Sequence, residues 1–153
     1  MMLAYRLVKL IERHSEGLAE GLHEKITTSD KTRDYVNVPA EELTRVVREM
    51  YRNLGEWLLG KTEADIESRY TAIGARRAEQ NVPLSQVVWT IMLVKENMLE
   101  YLGKEDVMER PAEVFGELEI LQLLEQFFDR AVYYAALGYE RSRAAQVASH
   151  ERG

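Results

Sequence analysis

Residues 70–84 read Y-T-A-I-G-A-R-R-A-E-Q-N-V-P-L, and residues 87–94 continue as V-V-W-T-I-M-L-V. One amphipathic helix ends in this stretch and another begins. Pro83 fits the first turn of the second helix, where the N–H it lacks would have had no partner. Working outward, glycine and proline divide the chain into five predicted helices. The first runs from about Leu3 to Thr27, with Leu3, Leu7, Leu10, Ile11, Leu18 and Leu22 on the helical period. Thr28 to Val38 is polar and reads as a loop. Pro39 opens the second helix, whose apolar face is Leu43, Val46, Val47, Met50, Leu54, Trp57 and Leu58, and Gly60 is its stop. Thr62 and Asp65 form a capping box for the third helix, which reaches about Gln80. The fourth runs from Pro83 to Leu102 and stops at Gly103. Lys104 to Pro111 is a polar connection, and the fifth helix starts near Ala112 and continues past Arg143. No strand-like alternation and no internal repeat occur. The predicted fold is all-α: an antiparallel bundle of about five helices with a long C-terminal helix, or a globin-like arrangement of the same helices.

The bulk properties fit one domain. A chain of 153 residues can bury one sizeable core. A net charge of −6 and a pI near 5.2 argue against a nucleic-acid partner, which calls for a basic patch or stripe. Cysteine is absent, which removes disulfides and thiolate metal sites. The N-terminus is interrupted by charge every few residues and is not a signal peptide. The longest apolar run, 87–94, falls far short of the ~20 residues a membrane span needs. These features predict a cytoplasmic protein.

Two cations break the apolar pattern. On a helical wheel Arg77 falls among Ile66, Tyr70 and Ile73, and Lys95 falls among Leu84, Val88, Ile91 and Leu102. A buried charge is costly unless paired. Each therefore needs a carboxylate on another helix, a route to water, or an anionic ligand. Arg77, Lys95 and Tyr70 are the candidate ligand-binding residues on the last reading; snorkelling and ion pairing are the structural alternative. Trp89 and Leu93 project into the polar arc of the fourth helix, either as a contact surface or because that helix is covered on nearly all sides. The fifth helix has one continuous apolar face through Leu124, Phe127, Phe128, Ala131 and Ala135. A second strip of Leu118, Tyr133 and Leu137 is the candidate dimer interface.

No catalytic constellation emerges. His14, on the apolar face of the first helix, reads as a hydrogen-bonded core residue, and no His pair has the i, i+4 spacing of a helical metal site. There is no Gly-rich phosphate loop and no Glu-x-x-His motif. The third to fifth helices contain no histidine before His150, so no haem is expected, and nothing in the sequence calls for another cofactor or a metal.

The pattern Tyr70-x-x-x-Gly74-x-x-Arg77-Ala78, then Val82-Pro83-Leu84-Ser85-x-Val87-Val88, and F-F-D-R-A-V-Y-Y-A-A-L-G-Y-E at 127–140 resemble the RsbRD N-terminal domain family. The resemblance covers about Leu7 to Glu140. It implies a helical sensory module at the front of a bacterial stress regulator or sensor kinase, with the last helix leading to a kinase or anti-sigma-antagonist output. The expectation is a non-enzymatic sensory and dimerisation domain over 1–140, with a helical tail or linker stub at 141–153. It would form a homodimer through the first and fifth helices, respond to a small molecule or partner protein, and act on a downstream kinase or regulator module. A pure assembly domain without a ligand is the alternative. Both a stand-alone module and a fragment cut before its effector fit this reading.

Overall fold

The computed structural model describes residues 2–60, 63–104 and 111–152, with side chains for 5–6, 8–60, 63–101 and 121–151. These residues form a helical bundle of α1 (Met2–Arg13), α2 (Ser15–Thr28), a 3-10 helix (Asp30–Asn37), α3 (Ala40–Leu58), α4 (Glu63–Glu79), α5 (Leu84–Lys104) and α6 (Pro111–Arg152). The all-α reading and the long last helix are as expected, and the count of five is too low.

The first expected helix is bent at His14, whose backbone sits at φ −117°, ψ 21°. The hydrogen bonds His14 N–H to Leu10 O and Leu18 N–H to His14 O, both 3.0 Å, still cross the bend. The bend leaves the His14 ring tilted against Tyr101, 5.4 Å between centroids. The expected loop 28–38 is mostly 3-10 helix. Ser29 starts it by accepting from Lys31 N–H, and the buried Thr32 hydroxyl donates to Ile26 O at 2.6 Å. Gln86 of α5 then clamps this segment from both sides: its amide donates to Asp34 Oδ2 at 2.6 Å and its carbonyl accepts from Asp34 N–H at 2.8 Å. Tyr35 and Val38 close over the core. This segment carries too few apolar residues for a periodicity to reveal it.

Gly60 ends α3 at φ +108°. The capping pair proposed for α4 includes Thr62, which lies outside the described residues. At its other end α4 closes in a Schellman turn: Asn81 takes φ 60°, its N–H donates to Ala78 O at 3.2 Å, and Val82 N–H donates to Arg77 O at 3.1 Å. Val82 is then fully buried, and its carbonyl accepts from the Tyr139 hydroxyl of α6 at 2.6 Å.

The closest helix pair is α4 on α6. A Cβ on Gly74 would stand 1.9 Å from Ala135 O, and one on Gly138 would stand 2.1 Å from Thr71 O. The two backbones touch because each helix offers a glycine where the other presents a carbonyl. Phe127 anchors the same interface, edge-on to Tyr70 at 5.8 Å and to Phe128 at 5.2 Å, with Trp57 at 5.6 Å. Overpacking of this kind costs about 3 kcal/mol or more when only backbone lies in the way. Gly74→Ala and Gly138→Ala should each destabilise the protein by about that amount in urea titrations. Gly17→Ala meets nothing within 4 Å and should be neutral or stabilising by about 0.5 kcal/mol.

Candidate functional site

Arg77 is 2% exposed, as the helical wheel requires of it. Its guanidinium Nη1 donates to Gln80 Oε1 at 2.7 Å and to Glu42 Oε1 at 3.3 Å. Glu42, in the first turn of α3, also accepts from Gln80 Nε2 at 2.8 Å and from Arg76 Nε at 3.0 Å. One carboxylate therefore serves two guanidiniums and an amide. Arg77 also lies over the Tyr35 ring, 5.8 Å from its centroid. Burial pushes the Glu42 carboxyl up; hydrogen bonds from Arg76 and Gln80 and the charges of Arg77 and Arg76 more than offset this, and it titrates below its ordinary value. For Tyr35, burial outweighs the hydrogen bond with Thr90 and the charge of Arg77, and its phenol is raised.

This network closes one end of a cleft of about 410 Å³ between α3 and α4. Consecutive in the chain, the two helices run antiparallel, with Glu42 beside Arg76 and Glu56 3.7 Å from Arg69. That register sets Asn53 opposite Tyr70. Val46, Met50 and Ile73 form the apolar wall between the two ends. Asn53 and Tyr70 are each 1% exposed. Both amide atoms of Asn53, the Tyr70 hydroxyl and the Arg77 Nε have no hydrogen-bond partner. Such an unpartnered buried group costs about 1–3 kcal/mol. Burial holds the Tyr70 phenol well above its ordinary value, with a smaller upward push from Tyr51 and a smaller opposing effect from Arg69.

Two of the three ligand candidates, Arg77 and Tyr70, thus share one cleft. The third, Lys95, does not join them. It is 28% exposed and pairs with Glu125 of α6 at 2.6 Å, so the ion-pair alternative describes it. Asn53 escaped the sequence reading although it sits three residues after Met50, on the apolar face of α3; a lone amide on an apolar stripe was the signal. Trp89 and Leu93 are covered. Leu93 is buried, and Trp89 is half-buried beneath the Lys31 ammonium, 4.7 Å from its ring centroid. Of the interface candidates, Tyr133 is 61% exposed and Leu137 half-buried, while the side chain of Leu118 lies outside the described residues.

Among the described residues no group of three or more His, Asp or Glu is gathered for a metal, and no helix is long and apolar enough to cross a membrane. The described residues define an all-helical bundle with an ion-pair network at one end of its α3–α4 cleft. Residues 16–153, spanning α2 to α6, match the family described as RsbT co-antagonist protein rsbRD N-terminal domain, and the chain belongs to that family. No curated protein and no solved structure matches it.

Removing the charge of Glu42 leaves Arg77 buried against a neutral partner, and breaking such a pair costs about 3 kcal/mol or more. Glu42→Gln should lose that much in urea titrations, while Glu125→Gln, at a solvent-exposed pair, should lose less than about 1 kcal/mol. Because the Glu42 pKa is lowered from 4.5 on folding, its contribution is complete above that value and fades as pH falls through the folded-state pKa. The acid-side loss of stability should therefore be shallower in Glu42→Gln than in the parent.

Proposed function

We propose that this domain is the sensory and dimerisation module of a bacterial signalling protein, the input domain of a stress regulator or sensor kinase. It acts in the cytoplasm, without catalysis of its own, and passes its signal through α6. The observation that carries this reading is the family match over α2 to α6 taken with the form of α6, which runs unbroken from Pro111 to Arg152. Residues 1–140 are the sensory body in this reading, and 141–153 are the connector toward a downstream kinase or regulator module. Within the connector only Ser142 and Gln146 are half-covered; the other residues of 141–151 are exposed. The signal travels as a small shift of packed helices.

The face for a second copy is on α6. Tyr133 is exposed and stacks edge-on against Tyr134, centroids 5.2 Å apart, and Leu137 lies one turn further along. Large apolar groups held at the surface of a helix are suited to a self-complementary contact. The pairing of Arg77 with Glu42 and of Lys95 with Glu125 favours a second reading, a pure assembly domain whose cations are structural.

Native mass spectrometry and light scattering test both readings. The parent should be a dimer, and Tyr133→Asp with Leu137→Asp should weaken it at least about tenfold. A parent that is monomeric at high protein concentration would refute dimerisation. A dimer whose α6 responds to no ligand or partner would leave assembly as its function.

A further inference from the structure

The cleft between α3 and α4 holds three buried polar side chains whose orphaned atoms nothing in the fold satisfies: both amide atoms of Asn53, the Tyr70 hydroxyl and the Arg77 Nε. A protein that merely needed to fill this space would place Leu and Phe at positions 53 and 70, since an unpartnered buried donor or acceptor is worse than an apolar group of the same shape. These groups are also not scattered. They share one cleft of about 410 Å³, within the size range of small-molecule sites. Tyr101, whose hydroxyl is also deeply placed, belongs to a different groove beside α2.

We infer that the α3–α4 cleft is a binding site for a small organic anion with an apolar middle and an amide-like head. The inference deepens the sensory reading above and rests on it for its biological role. Each part of the ligand follows from a part of the wall. Asn53 offers a donor and an acceptor side by side, and Tyr70 stands opposite it; a primary or secondary amide, which itself carries one of each, satisfies that set. Val46, Met50 and Ile73 ask for hydrocarbon between the ends. Four arginines and two glutamates line the cleft, so it has a positive balance. Arg45, Arg76 and Arg77 gather at the Glu42 end, about three helical turns from Asn53 along α3. A carboxylate belongs there, where Arg77 Nε is still free to donate. Because α4 is welded to α6 through Gly74 and Gly138, a ligand that drew α3 and α4 together would act directly on the helix proposed to carry the signal.

The test uses the whole chain, labelled with nitrogen-15, and two amide-bearing carboxylates of different length, 4-carbamoylbenzoate and 6-acetamidohexanoate. Hexanoate, without the amide, and benzamide, without the charge, are the controls. At least one amide-bearing probe should bind saturably below about 10 mM, a modest demand for ligands of this size, and should move the amide resonances of Val46, Met50 and Ile73. Asn53→Leu and Tyr70→Phe should each weaken that binding at least about tenfold, while their melting temperatures equal or exceed that of the parent. Loss of binding in a variant that is more stable separates recognition from folding. No saturable binding by either probe, undiminished binding in Asn53→Leu, or hexanoate binding as tightly as 6-acetamidohexanoate would overturn the inference. Shifts confined to the cleft, with none along 141–152, would support the site and count against the sensory reading; an intact dimer that binds neither probe would do the reverse.

Discussion

Everything else in this bundle is arranged around the contact of α4 with α6. Gly74 and Gly138 let two helix backbones meet, so that a carbonyl of each occupies the space a methyl group would take on the other. Dispersion contacts are individually small, but a backbone-to-backbone crossing collects many of them at short range. It also fixes which way α4 faces. With its Gly74 and Thr71 side against α6, the edge of α4 that carries Arg69, Ile73 and Arg76 faces the cleft with α3, and Tyr70 and Arg77 lie between the two. Arg77 is buried at that place as a consequence of the crossing, and Glu42 sits where the first turn of α3 can meet it.

The Glu42 network and the Asn53–Tyr70 pair show two opposite treatments of polar groups inside one cleft. At the Glu42 end the carboxylate accepts from Arg76, Arg77 and Gln80, and only Arg77 Nε is left without a partner. At the other end the polar atoms have no partner. Natural sequences remove such deficits unless function maintains them. The nearby Tyr51 hydroxyl, equally deep, is by contrast satisfied, accepting from Asn97 at 2.7 Å. The contrast separates the residues that hold the bundle together from those that leave part of it open.

Much of this architecture was legible in the amino-acid sequence. The 3.6-residue period located α3 to α6, glycine and proline marked the ends near Gly60 and Pro83, and the wheel placed Arg77 in the interior. The failures have physical causes. His14 bends the first helix by its backbone torsions while the i to i−4 bonds survive, and no apolar period is disturbed by that. The 3-10 segment depends on Gln86, 52 positions away from Asp34 in the chain. Lys95 has the same pattern as Arg77 on a wheel. Its surroundings differ because Glu125 stands at the surface beside it, whereas Glu42 is tucked beside Arg77 with only 12% of its side chain exposed. Asn53 was missed because an amide within an apolar stripe is discounted unless its partners are known, and here the missing partners are the informative fact.

The length of α6 has a mechanical corollary. Gly138 marks the backbone crossing of α6 with α4, and Arg152 stands fourteen residues beyond it. At 1.5 Å per residue that is a rigid arm of about 21 Å, so a rotation of about 10° about the Gly138 contact swings its tip by roughly 4 Å. Glycine at the fulcrum keeps the pivot narrow, with no side chain to prop the helices apart. An arm of that length would turn a small displacement at the crossing into a movement large enough to change which groups touch at its far end.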